Sequence, residues 1–451
     1  MKKNNLCIAE WQSFGVDEIK GVMGCHDSAN VESCNDKAQK IFGELVEFAH
    51  QEGNHCFLKF KNSNTLVAQN YVGLIQTKSG FCVEILPKTF RTANETQGFE
   101  VQQKDERIDS AKELLCEMLK TLKDSPFKRS HFANLRAQNM SLLEIFIAMF
   151  LNELDNLVKK GLKSSYVTQE ENRKFLKGKL LFNQNLKYNL SHKEKFFTAS
   201  DEFSVNIAPN RIIKSTLELL SRQGFSPKIY ARLTQMRFIF ADIASSQNID
   251  KDLSQCAKSR LFNAYDLVLQ WCKVFLRKQA FTPFQGNTKA FALLFDMNKL
   301  FESFVASEMK KWYNDENFRE KKGQQYQEFM DKICNKETKI SIGIQEKRKY
   351  LATAKEDNSD IFQLNPDIVG YKDSVPHFIA DTKWKNSENY GILQSDMYQM
   401  WAYLSKYECK RGFLIYPEIA NNDNKKFNFT FKPNSKPELT ICFFPLRTNK
   451  R

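Results

Sequence analysis

A chain of 451 residues with 42% hydrophobic and 27% charged content has material for roughly two or three packed domains, which excludes a disordered or low-complexity protein. Its 67 Lys and Arg against 53 Asp and Glu leave a formal charge of +14, the balance of a nucleic-acid binder or of a generally lysine-rich composition. No Gly-x-x-x-x-Gly-Lys-Ser/Thr loop occurs anywhere, so nucleotide hydrolysis by this chain is not expected.

The chain opens Met1-Lys-Lys-Asn-Asn-Leu without the apolar run of a signal peptide. The eleven Cys are scattered without a Cys-x-x-Cys pair, which excludes zinc spacing and suits a reducing cytoplasm, the expected location. Cys25, His26 and Cys34 come nearest to a ligand group, and they read as a loop. Residues 1–105 read as a mixed, strand-containing domain. Ile41 to Ala49 is helical by spacing; Cys56 to Phe60, Thr65 to Ala68, Val72 to Gln76 and Phe81 to Pro87 are short strands, the last two joined by a hairpin at Thr77 to Gly80. The polar stretch 92–110 is a linker candidate.

Residues 106–289 read as a helical middle region, with apolar residues at helical spacing near Ala111, from Leu142 to Val158, from Ile213 to Leu220 and from Leu261 to Leu276. Ser141 with Glu144 forms a capping box. The apolar run Ile145 to Leu151 lies between Glu144 and Glu153 and is too short to span a membrane, so no membrane partner is expected. Arg173 to Leu180 interleaves basic residues with Phe175; Arg173 and Lys177 either contact phosphates or belong to a solvated loop. Asp201, Glu202 and Arg211 read as caps and ion pairs at a helix start, in preference to a second metal site.

Residues 290–451 form the third domain. Leu293 to Val305 reads as an amphipathic helix carrying Glu302. A helix and then a strand near Lys339 follow; Lys347 to Tyr350 is a basic edge, open to DNA or to solvent. Asn421 to Lys426 is a loop, Phe427 to Phe431 and Leu439 to Phe444 close the sheet, and Arg447 to Arg451 is a basic tail. Between these lie Asn365-Pro-Asp-Ile-Val-Gly and His377-Phe-Ile-Ala-Asp-Thr-Lys-Trp-Lys, two apolar runs joined by the turn-prone Lys372, Asp373 and Ser374, which read as a β-hairpin or as adjacent strands of one sheet. Strand residues two apart share a face, so Asp381 and Lys383 point the same way, and Asp367 joins them if its strand is the neighbour. Two carboxylates with one ammonium suit Mg²⁺ or Mn²⁺; they also make an ordinary surface ion pair. A helix follows, with Ser395 as N-cap, carrying Gln399 and Tyr403 four apart on one face. Gly412 to Pro417 is a buried strand.

Pro366-Asp367 and Asp381-Thr382-Lys383, with thirteen residues between the acids, match the PD-(D/E)XK nuclease signature, and Gln399 with Tyr403 matches the pattern that follows the catalytic strand in RecB-like nucleases. Leu294 to Glu302, Asn365 to Ile368, Asp381 to Lys385 and Asp396 to Tyr403 resemble the McrC family, the nuclease subunit of McrBC-type modification-dependent restriction systems. So do Leu176 to Leu180, Asp201 to Lys214 and Val83 to Lys88. The resemblance implies a multidomain α/β chain with a restriction-endonuclease-like C-terminal domain. It implies an Mg²⁺- or Mn²⁺-dependent endonuclease acting on double-stranded DNA carrying a 5-methylcytosine-type mark. Asp367, Asp381 and the Thr382 carbonyl would hold the metal, Lys383 would orient or activate water, and Gln399 and Tyr403 would position DNA. Glu302 either completes the metal shell or is a surface charge. The implied partner is an AAA+ McrB-like hexameric ring that alone uses GTP, with residues 1–105 docking on it. Two rival readings stand beside this: a non-catalytic ring-bound GTPase activator that holds DNA, and a stand-alone nuclease.

Overall fold

In a computed structural model the described residues are 5–24, 31–90, 101–123, 126–129, 140–257, 260–277, 291–333, 340–355, 358–385, 393–418, 428–430 and 437–446. The chain is a mixed α/β protein of two compact units, and these do not follow the three sequence segments. Met1–Lys128 and Leu294–Arg451 form one unit; Arg129–Leu293 forms the other.

One element that interleaves the segments is a strand. Leu293 to Asp296 were expected to begin a helix; instead Phe291–Asp296 is extended and completes a four-stranded sheet. The order is Asn5–Ala9, Cys82–Leu86, Tyr71–Gln76, Phe291–Asp296, the first pair parallel and the second antiparallel. Asp296 then caps the helix Met297–Asn314, its side chain accepting from Asn298 N–H at 2.9 Å. A small antiparallel sheet of Ser13–Gly15, Thr65–Ala68 and Leu58–Asn62 lies beside the helices Val16–Met23 and Val31–His50 in sequence. The helix Val101–Leu119 takes up the end of the expected linker, and residues 91–100 lie outside the described ones. Its Lys112 ammonium meets the Glu84 carboxylate at 2.9 Å with both side chains buried.

The second sheet of this unit has six strands in the order Ser341–Ile344, Ile368–Lys372, Val375–Thr382, Arg411–Pro417, Glu438–Phe444, Asn428–Thr430. Ile368–Lys372 and Val375–Thr382 form the expected hairpin, and its turn residues Asp373 and Ser374 both have positive φ (50° and 65°), as a two-residue type I′ turn requires. Val375–Thr382 pairs parallel with Arg411–Pro417, so the chain must cross over between them, and the helix Gln394–Lys406 makes the crossing. This helix starts at Gln394 with Leu393 at the N-cap, not Ser395. It comes close to the sheet at Gly412, where a Cβ would meet Leu404 at 2.9 Å and Met400 at 3.0 Å. Val369, Ile379, Leu414 and Leu439 pack with Met400, Tyr403 and Leu404 on that face. On the other side Phe444 touches Phe301 and Phe304 of Met297–Asn314 and Tyr326 and Phe329 of Gln324–Ile333. Lys349–Thr353, which contains Lys349 and Tyr350 of the expected basic edge, pairs with Asp360–Leu364 in a two-stranded ribbon.

The unit Arg129–Leu293 contains the helices Leu142–Lys159, Ala208–Ser221, Pro227–Ile239, Ile249–Ala257 and Asp266–Arg277, cored by Phe146, Phe150, Trp271 and Phe275. The Ser141–Glu144 capping box is present. The expectation of an almost wholly helical region fails at Ser165–Arg173, Lys179–Leu180 and Phe196–Ser204, which form an antiparallel sheet. Asp201 and Glu202 therefore lie on a strand, and the next helix opens at Ala208.

Cys34 lies in the helix Val31–His50 and is disulfide-bonded, against the expectation of a loop and of reduced cysteines throughout. Cys25, His26, the loop Asn421 to Lys426, Phe431 and the basic tail lie outside the described residues. Among the described residues no helix is long and apolar enough to cross a membrane.

Candidate active site

The hairpin and the crossover bring the chemistry to one end of the six-stranded sheet. Ile368 pairs with Ala380, so Asp367, just before its strand, arrives beside Asp381 and Thr382 at the end of theirs. Asp367 Oδ2 accepts two hydrogen bonds, from Thr382 N–H at 2.7 Å and Thr382 O–H at 2.8 Å. Its own carbonyl accepts Gln345 N–H at 3.0 Å. Asp381 is 2% exposed, on the face that holds Ile379 and Leu414 and looks toward the helix Gln394–Lys406.

Lys383 shares that face, and its main-chain N–H extends the parallel ladder to Ile415 O at 2.8 Å. Its ammonium lies 2.5 Å from Asp381 Oδ2, donates to Gln399 Oε1 at 3.0 Å and stands 3.9 Å from Asp396. Gln399 Nε2 donates to Tyr403 Oη at 2.8 Å, and Tyr403 O–H donates to Asn365 O at 3.0 Å. A chain of contacts thus runs from Asp381 through Lys383, Gln399 and Tyr403 back to the loop that holds Asp367. The helix spacing supplies it, since residues 399 and 403 are one turn apart.

The electrostatics follow from crowding. Burial first, then the neighbouring Glu302 charge, lifts Asp367 to about 6, against the hydrogen bonds from Thr382. Burial first, then Asp367, lifts Asp381 to about 7, with Lys383 opposing. Burial and the Asp381 charge also raise Glu302, while a hydrogen bond with Gln345 works the other way. At Lys383 burial disfavours the ammonium, but Asp381, Asp396 and Asp367 outweigh it and hold the amine above its ordinary value. Lys383 is therefore a fixed cation and not a proton acceptor at neutral pH. Burial lifts Tyr403 to about 12, so its O–H stays a donor.

The fit to a divalent cation rests on the acids. Asp381 Oδ2 is buried and held by the Lys383 ammonium, so a cation there would share the Asp381 carboxylate with the lysine. Asp367 has one oxygen engaged by Thr382 and one left over. Among the described residues no three His, Cys, Asp or Glu side chains converge as a ready-made metal cage. Two carboxylates supplemented by main-chain oxygen and water are the donor set of Mg²⁺, which keeps several waters when bound.

Glu302 lies on the half-buried side of Met297–Asn314, close enough for its charge to act on Asp367 and for Asp381 to act on it. Arg173 and Lys177 belong to the other unit, where both bind the Glu202 carboxylate, at 2.7 and 2.8 Å; Arg173 also holds Glu171 and Ser200. Around them the surface exposes Tyr166, Phe175, Leu176, Phe182 and Phe203. Arg211 pairs with Asp252 at 2.7 Å.

Sequence reasoning missed Asp396, Lys385 and Trp384. Asp396 is buried and takes Lys385 at 3.3 Å while facing Lys383. Its position three residues before Gln399 was the available signal, since i and i+3 lie on one helix face.

The description McrBC 5-methylcytosine restriction system component belongs to the family that matches residues 66–417. A chain of the Thermococcus gammatolerans assembly described as McrB AAA+ hexamers with bound McrC is similar in fold, with TM-score 0.59 and 17% identity, covering 97% of this chain and 94% of that one. A chain of the Thermococcus gammatolerans McrBC complex aligns with TM-score 0.42 and 20% identity over 67% of this chain and 85% of that one. No curated protein matches the sequence. With the matched family spanning most of its length, the chain belongs to the McrBC 5-methylcytosine restriction system component family.

Proposed function

We propose that this chain is the nuclease subunit of a modification-dependent restriction system, cutting double-stranded DNA at a PD-(D/E)XK site in its C-terminal α/β domain. The carrying observation is the closed run of contacts from Asp381 through Lys383, Gln399 and Tyr403 to Asn365, two residues from Asp367. Asp367, Asp381 and the Thr382 carbonyl would hold Mg²⁺ or Mn²⁺, with Glu302 adding charge to the same pocket. When bound, such an ion supplies a water acidified for attack and neutralises charge on the phosphate. Lys383, held protonated by three acids, grips that water or a non-bridging phosphate oxygen. Gln399 and Tyr403 set the lysine and the DNA backbone in register. Arg173 and Lys177 add backbone contacts, exchanging Glu202 for phosphate.

The fold likeness to a chain of the McrB–McrC assembly supports the second half of the reading. This chain works with an AAA+ GTPase ring, McrB-like and hexameric, that selects 5-methylcytosine-type DNA and burns the GTP, and it stimulates that GTPase. The test is Asp381→Ala in a reaction with the GTPase partner, GTP and Mg²⁺ on methylated plasmid. Cleavage falls by orders of magnitude while stimulation of the partner persists. Cleavage at the wild-type rate overturns the site.

A further inference from the structure

Three of the stretches quoted from the sequence meet behind the site, at Trp384. Glu10 follows the strand Asn5–Ala9 and is 1% exposed. Its Oε1 accepts the Trp384 indole N–H at 2.5 Å and the Lys88 main-chain N–H at 2.9 Å. The Lys88 ammonium donates to the Trp384 carbonyl at 3.0 Å and stands 5.1 Å from the centre of its ring. The same ring packs at 5.1 Å on Phe301, the residue before Glu302. Trp384 is therefore gripped at its indole, its ring face and its carbonyl by residues 374 and 296 positions away in the chain.

A buried carboxylate and a half-buried ammonium are an expensive way to pack a tryptophan. Burial lifts Glu10 to about 7 and lowers Lys88 to about 8, and Glu10 Oε2 has no hydrogen-bond partner. Apolar side chains of similar volume would avoid the cost of taking these two charges out of water. What the two residues provide is a fixed position. The strand bearing Asp381 ends at Thr382; Lys383 N–H still bonds to Ile415 O, and beyond that bond the chain is next held at Trp384. A main chain free to shift by an ångström there would carry the Lys383 ammonium off Asp381 and Gln399, and misplacement of that size costs up to about 10²-fold in rate.

We propose that Glu10 and Lys88 are positioning residues for DNA cleavage: by clamping Trp384 they fix the main chain that presents Lys383 to the scissile phosphate. This rests on the nuclease reading above. Lys88→Met keeps the stem against the ring and removes the donor; Glu10→Ala removes both acceptor contacts, and Glu10→Gln restores an acceptor oxygen without the charge. Each is made in the full chain. Reductive methylation of Lys383, read by mass spectrometry without DNA, metal or partner, rises several-fold in Lys88→Met and Glu10→Ala and returns toward wild type in Glu10→Gln. Single-turnover cleavage with the GTPase partner slows about 10- to 100-fold in the first two, with DNA affinity and Mn²⁺ affinity by calorimetry unchanged. The clamp is overturned if Lys88→Met leaves labelling and rate at wild-type values. It is equally overturned if the rate drops with unchanged labelling and a lowered melting temperature, which is a purely structural role. Lys383→Ala, run alongside, separates the two claims. If it cuts like wild type, the nuclease reading falls; if it is inactive while Lys88→Met is normal in labelling and rate, only the clamp falls.

Discussion

Replacing Asp381 by Asn is expected to stabilise the metal-free protein at pH 8 while destroying its activity. Lifting this carboxyl from its ordinary 3.8 to about 7 makes its ionisation cost on the order of 4 kcal/mol in the folded state, at about 1.4 kcal/mol per pH unit. That value already contains the favourable Lys383 charge, so loss of the ion pair is not subtracted a second time. The sign is set by which state ionises first. Well below pH 4 the carboxyl is protonated in both folded and unfolded chains and contributes nothing. As pH rises from about 4 to about 7 the unfolded chain ionises while the folded one resists, so wild type loses stability across that window and stays lower above it. Asn is neutral throughout and escapes the loss. Melts in EDTA should show Asp381→Asn level with wild type near pH 4 and a few degrees above it at pH 8. Mg²⁺ should then raise the wild-type transition and leave the variant where it was, since only the former keeps both proposed carboxylate ligands. A variant that melts below wild type at pH 8 in EDTA, or gains equally from Mg²⁺, refutes the argument.

Other expectations are simpler. Lys383→Ala should keep near-normal Mn²⁺ affinity in a calorimetric titration and lose cleavage rate; a large drop in affinity would make the lysine a structural support of the acids. The isolated chain should bind no GTP, having no phosphate-cradling loop, and saturable binding without a partner would undo the division of labour. Residues 1–105 should not be removable without harm to the site, because they share one compact unit with Leu294–Arg451. Deletion strips three strands from the sheet that Phe291–Asp296 completes and removes both Glu10 and Lys88, so the remainder should lose its cooperative melt. A truncated chain that melts like the full one would show the N-terminal segment to be independent after all.

The site was readable because its rules are local. Period two put Asp381 and Lys383 on one face, Asp373 and Ser374 suited a tight turn, and a spacing of four joined Gln399 to Tyr403. What stayed hidden lacked a local signature. Ser165–Arg173 alternates half-buried and exposed residues over its first six positions, but the half-buried side includes Ser165 and Gln169 while Tyr166 is exposed, so no alternation of apolar and polar residues marks it as a strand. Phe291–Asp296 is a short apolar run that merges into the helix behind it, and periodicity cannot divide the two. Glu10 and Lys88 read as ordinary charged residues, because the tryptophan that gives them meaning lies hundreds of positions away.

The borrowed fourth strand has a consequence for how the chain is made. Tyr71–Gln76 leaves the ribosome with one side of its backbone unpaired, and its partner begins 215 residues later, at Phe291 after Gln76. At about 5–20 residues per second that is a wait of roughly 10 to 40 seconds. Meanwhile Arg129–Leu293, one contiguous stretch, can fold from its own residues. The N-terminal strands meanwhile present an open apolar edge, the kind that pairs with the wrong neighbour. Synthesis of this protein should therefore be more sensitive to chaperone supply and translation speed than its finished fold suggests.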